Sequence, residues 1–216
     1  MYYFRLLFLI LTIASAGQLL SAVHEVHPYE FEVHKDAYMF STDFQIDSNN
    51  TYIGNVKKSK LRVFTSYDLR NEHGWQATGV MNPVSLGLIY PWASEIYIHD
   101  TRKKTIACID GQVVARYAQF SLYQYDEEEN YTRIGIAYLD ADRDTFTILL
   151  PDNSGRVIAR LQRVGVSGGR DYWKVKVHHP EIIDDRLIRI FAAFVCDFQD
   201  DFKPKALDDV YYDDDL

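Results

Sequence analysis

One segment, Leu187-Ile-Arg-Ile-Phe-Ala-Ala-Phe-Val-Cys-Asp-Phe198, limits what this chain can fold into. Ten of its twelve residues are apolar, and only Arg189 and Asp197 carry charge. Its length and two alanines favour a helix; a buried central strand is the alternative. A helix that is apolar on every side has to be buried on every side. At about 1.5 Å per residue it is too short to cross a hydrocarbon core of about 30 Å. Asp184 and Asp185 stand where an N-cap and an acidic first turn belong. The spacing predicts a helix over about 185–202 that something else must surround.

Strands are the candidate wrapping. Short alternating segments recur at Val63–Asp68, Glu95–Asp100, Thr105–Ile109, Gln119–Tyr125, Arg133–Tyr138, Thr145–Leu150, Arg156–Leu161 and Tyr172–Val177. Period-two alternation bounded by polar turns is the strand signature. The 16 tyrosines and 12 phenylalanines suit pleated surfaces. Asp100, Asp126 and Asp152 each end a segment, precede a polar turn and are followed by an Ile-Ala step, as repeated hairpins of one design would be. The predicted fold is mostly β: a closed antiparallel barrel with a buried hydrophobic C-terminal helix through its centre.

The remaining segments frame this domain. Arg5, an apolar run from Leu6 to Ile13, and small residues at Ala14-Ser-Ala16 and Leu20-Ser-Ala22 read as a secretory signal peptide over 1–22, with an uncleaved N-terminal anchor as the alternative. Residues 23–37 read as an N-terminal arm, 38–202 as the barrel domain and 203–216 as an acidic, solvated tail. Loss of 1–22, whose one charge is Arg5, moves the formal net charge from −8 to −9. Such a balance argues against a nucleic-acid partner. An exported compartment permits a disulfide between Cys108 and Cys196; two buried thiols are the alternative. Asn49 and Asn130 begin glycosylation sequons.

The hairpin run from Val63 to Val177, the Asp-turn-Ile-Ala repeats and Asp185-Arg-Leu-Ile-Arg-Ile-Phe-Ala-Ala-Phe-Val-Cys196 together resemble the tubby-like superfamily. That group includes tubby C-terminal domains, phospholipid scramblases and LURP-one-related proteins. The resemblance covers roughly residues 38–202 and is one of pattern and order. It implies a closed barrel around a hydrophobic helix, and membrane or phosphoinositide chemistry. No lipid-binding motif of the family matches position by position, so no site residue follows from it.

Candidate sites come from the residues themselves. Lys57, Lys58, Lys60 and Arg62 form the strongest basic cluster. An extended segment would turn Lys58, Lys60 and Arg62 to one face, where anionic headgroups are attracted. Arg102-Lys-Lys104 would extend the patch if the fold brought the two turns together. Gly165-Val-Ser-Gly-Gly169 matches G-x-S-x-G, but the next segment alternates like a strand, so a hairpin loop accounts for it. Asp140-Ala-Asp-Arg-Asp144 begins like a calcium loop, yet Thr145 and Pro151 occupy the positions that need Gly and Glu. His24, His27 and His34 alternate with acids in the N-terminal arm, without fixed metal geometry. No catalytic constellation and no cofactor motif emerges. The expected function is a secreted, non-enzymatic binding module for anionic phospholipid or a membrane surface. The alternatives are a protein-interaction or structural domain and a lipocalin-like carrier of a small apolar ligand.

Overall fold

A computed structural model describes residues 29–37, 41–59, 64–83, 94–111, 118–140, 144–165 and 172–202. Twelve strands, each antiparallel to its neighbours, form a closed barrel. They are β1 (Tyr29–Ala37), β2 (Ser41–Ser48), β3 (Thr51–Ser59), β4 (Ser66–Asn71), β5 (Gly74–Pro83) and β6 (Ser94–Asp100). The second half is β7 (Thr105–Gly111), β8 (Gln119–Tyr125), β9 (Tyr131–Leu139), β10 (Thr145–Leu149), β11 (Val157–Val164) and β12 (Tyr172–Val177). Sequential neighbours pair all the way round, and β1 closes the ring on β12, with Phe31 opposite Val175 and Val33 opposite Trp173. The residues 29–37 are therefore not an arm but the closing strand. Tyr29, Phe31 and Val33 face inward, while Glu30, Glu32 and His34 face out.

Among the described residues one helix, α1 (Asp185–Phe198), lies inside. It ends four residues before the position expected from the sequence, and the chain leaves it through a turn that returns Phe202 to the core. Leu187, Ile188 and every residue from Ile190 to Cys196 are buried against the inward faces of the strands. Phe120, Phe146, Phe191 and Phe194 pack edge to face, with ring centroids 5.4–5.9 Å apart for Phe120–Phe194, Phe120–Phe191 and Phe146–Phe191. Such geometry suits the ring quadrupoles. Gly79 on β5 lets the helix close in: a Cβ there would stand 3.0 Å from Ile190 and 3.0 Å from Ile96.

Both helix ends are held by the barrel. At the N-terminus Asp184 accepts from the Arg186 amide at 2.8 Å, as an N-cap should. Asp185 accepts from the Tyr29 hydroxyl at 2.8 Å and from Arg189 Nε at 3.0 Å. The C-terminal turn carries an acid, Asp197, and no base of its own, which opposes the helix dipole. Strands supply the missing cations. Lys35 of β1 donates to the Asp197 carbonyl oxygen at 3.0 Å, and Lys58 of β3 is ion-paired with the Asp197 carboxylate. Tyr67 donates to the same carboxylate at 2.9 Å.

The hairpins at the helix N-terminal end of the barrel are locally encoded. The Asn49-Asn50 turn places both residues at positive φ (50° and 60°), which asparagine tolerates and a two-residue hairpin requires. The turns after Asp100 and Asp126 share one design. Each aspartate accepts from the amides two and four residues on, and each turn has its positive-φ residue three on, Lys103 and Glu129. Asp152 keeps only the first of these bonds, to the Ser154 amide. No helix among the described residues is long and apolar enough to cross a membrane.

Candidate functional site

The sequence-derived basic cluster falls partly outside the described residues, which include Lys57 and Lys58 but not Lys60 or Arg62. Lys58 faces the barrel interior, with its ammonium on Asp197 and 4.9 Å from the Phe198 ring centroid. Lys57 faces out, but Asp43 and Asp68 are its cross-strand neighbours on either side. The second basic turn, Arg102–Lys104, lies at the other end of the barrel, beside the start of α1, so the two clusters do not merge.

The cysteines are on opposite sides of the barrel wall. Cys196 is on the buried helix, whereas Cys108 alternates with the inward Ala107 and Ile109 and points outward. They are not bridged. A strand of the barrel stands between the two thiols in this fold.

Other sequence candidates disperse. The strand β12, not a helix, follows the G-x-S-x-G segment and pairs antiparallel with β11, as in a hairpin. Residues 141–143 of the calcium-like loop lie outside the described residues, as do His24 and His27. His34 stacks on Tyr172, with ring centroids 5.0 Å apart, and approaches Glu32 and Asp47. Among the described residues no three His, Cys, Asp or Glu side chains converge as a metal site.

A groove on the outer face of β6–β9 was not anticipated. Its first row is Glu95 opposite Asp110. The next row, two residues along, is Tyr97, Cys108 and Tyr123 across three strands. Tyr125 opposite Tyr131 makes the third. All seven line one depression. The Tyr131 ring meets Tyr123 edge-on at 5.7 Å and Tyr125 at 5.9 Å. Tyr131 is 66% exposed, while Cys108 on the floor is 5% exposed.

The electrostatics of this groove are one-sided. Burial raises the Asp110 carboxyl above its usual range, and the facing Glu95 raises it further. Burial, then Asp110 and Glu95, push the Cys108 thiol up to about 12. Tyr97 is likewise raised to about 12 by burial, by Cys108 and by hydrogen bonding to Glu95. Neither Glu95 nor Asp110 forms an ion pair among the described residues. The available signal was the spacing of outward positions, Glu95/Tyr97 and Tyr123/Tyr125. It could be read as a shared site only once the register of four strands was known.

Fold and groove together define a helix-plugged β-barrel with an aromatic and acidic outer face. Neither protein-family models nor curated proteins give a match to this chain.

Proposed function

We propose that the chain is an exported, non-enzymatic binding module that acts through the outside of its barrel, and that its partner is a protein. The observation that carries this reading is the filled axis. With α1 along the inside, a lipocalin-like carrier has lost the space its ligand would occupy, and recognition moves to the outer faces and loops. The exposed aromatics Tyr52, Phe64 and Tyr131, over half accessible, support a protein-contacting surface. The signal-like segment over 1–22 supports export. The closed barrel around a terminal helix is the architecture that the tubby-like resemblance implies, and it supports membership of that superfamily as part of the proposal.

Membrane recognition is the second reading, favoured by the exposure of Lys57 on β3. Its weakness is local: Lys58 is held by Asp197 and Lys57 is flanked by two aspartates. Liposome flotation separates the two. The purified protein is tested on neutral, phosphatidylserine and phosphoinositide vesicles at low and physiological salt. A Lys57→Ser, Lys60→Ser, Arg62→Ser variant, with Lys58 left in place, runs beside it. No flotation on any vesicle is the expected result. Salt-sensitive flotation on anionic vesicles, lost in the variant, would replace the protein partner with a membrane surface.

A further inference from the structure

We infer that the groove on the outer face of β6–β9 receives the guanidinium or ammonium head of a basic side chain on a partner polypeptide. The inference rests on the protein-partner reading and gives that partner its chemistry.

Three observations lead to it. First, Glu95 and Asp110 stand directly opposite on paired strands, where like charges repel. Neither has an ion-pair partner among the described residues; the Tyr97 hydroxyl hydrogen-bonds to Glu95, but no cation within the described fold offsets the repulsion. A cation from outside would. Second, four phenol rings line the same groove, Tyr97 and Tyr123 in the row beside the acid pair and Tyr125 and Tyr131 in the row beyond, and the faces of such rings attract cations. Third, the rows are graded along the strands. A two-residue step is roughly 6.6 Å, so the acid pair and the Tyr125–Tyr131 pair lie two such steps apart. A basic side chain entering over the tyrosines would lay its apolar stem on the rings and bring its head to the carboxylates.

The surroundings agree in sign. The turn joining β8 and β9 adds Asp126, Glu127, Glu128 and Glu129 beside Tyr125 and Tyr131. The cations at the borders are Arg133, opposite Tyr123, and Lys104, whose Nζ donates to the Glu127 carbonyl at 2.8 Å. Neither is ion-paired with Glu95 or Asp110. A divalent metal is a poorer occupant, because among the described residues no third metal-binding side chain converges on the pair.

The test is an amide NMR titration of the purified protein with N-acetyl-arginine methylamide. The neutral citrulline analogue, tetramethylammonium and calcium chloride serve as comparators. The expected result is saturable shifts at Glu95, Tyr97, Cys108, Asp110 and Tyr123, at least tenfold weaker with citrulline. A Glu95→Gln, Asp110→Asn variant should lose at least tenfold in affinity. Tyr131→Ala, at an exposed position, should weaken binding while leaving the rest of the spectrum in place. Equal response to citrulline, shifts confined elsewhere, undiminished binding by the double variant, or a response to calcium alone would each overturn the inference. Failure here without vesicle flotation removes the groove and leaves the binding-module reading standing. Anionic flotation lost with the lysines removes the protein-partner reading itself.

Discussion

Lys103 and Glu129 both hold a left-handed backbone, with φ of 65° and 66°, at the same position of two equivalent turns. A Cβ makes that conformation unfavourable by about 1–2 kcal/mol, which glycine avoids. Lys103→Gly or Glu129→Gly should therefore raise unfolding free energy by about 0.5–1 kcal/mol in urea titrations, after the entropy glycine adds to the unfolded chain. Gly54 is the converse case. Its φ is 157°, and a Cβ would stand 2.4 Å from the Arg70 carbonyl oxygen, so Gly54→Ala should destabilise more than Gly79→Ala, whose neighbours are side chains. The Asp100 and Asp126 turns were legible in the sequence because their bonds span four residues at most. The role of Lys58 was not, because its partner lies 139 residues away. Read locally, Lys58 is one of a run of surface bases; in the fold it completes the helix. Cys108 gives a further check at this scale. With its thiol pushed up to about 12 and 5% exposed, it should react with a disulfide reagent at pH 8 only after denaturation, and Cys196 should behave alike.

Among the elements, α1 concentrates the energetics. Asp197 is its most exacting residue, since Lys35, Lys58 and Tyr67 all depend on it. Asp197→Ala leaves a largely buried lysine without its counter-ion and should cost about 3–5 kcal/mol by denaturant unfolding. Pairing it with Lys58→Met should cost less than the sum of the two single changes, because neither charge is then stranded. Phe191→Ala, at the crossing of the aromatic rings, should cost about 3–5 kcal/mol. The helix was readable from sequence alone because an all-round apolar surface has one physical solution. The strand β1 was equally regular, with Tyr29, Phe31 and Val33 alternating with Glu30, Glu32 and His34. Its sequence still reads as an arm, because its outward face is a run of acids and histidine that looks like a mobile metal-binding segment. Strand pairing resolves that face into ion pairs from Glu30 to Lys174 at 3.0 Å and to Lys176 at 3.1 Å. The barrel was thus legible as a class from its hairpins, whereas its closure required knowing which strand meets β12.

At the scale of the whole molecule, four of the groups displaced upward, Tyr97, Cys108, Asp110 and Tyr125, lie together on the β6–β9 face. Cys108 and Tyr97 are raised from 9.0 and 10.0 to about 12, so the fold binds their protons more tightly than the unfolded chain does. Their contribution is complete below pH 9 and is lost as pH rises from there through about 12. The melting temperature should accordingly fall between pH 9 and 12 in calorimetry, and Cys108→Ala together with Tyr97→Phe should flatten that fall. The acid limb runs the other way. Glu30 is lowered chiefly by its hydrogen bonds from Lys174 and Lys176, and Asp184 is lowered because Arg186 outweighs the effect of its burial. Their stabilisation is present above the ordinary carboxylate range and is lost as pH falls below it. The closure of β1 on β12 also has a consequence in time. The first described strand pairs early with β2, but it cannot find its second neighbour until the twelfth has been made, and the helix that fills the ring is made after both. On a ribosome the barrel would wait, open along one seam and empty, with two unpaired strand edges and an apolar interior exposed to other chains. Folding must then be late, non-local and slow, which makes this a protein whose yield depends on what shields it before its last third emerges.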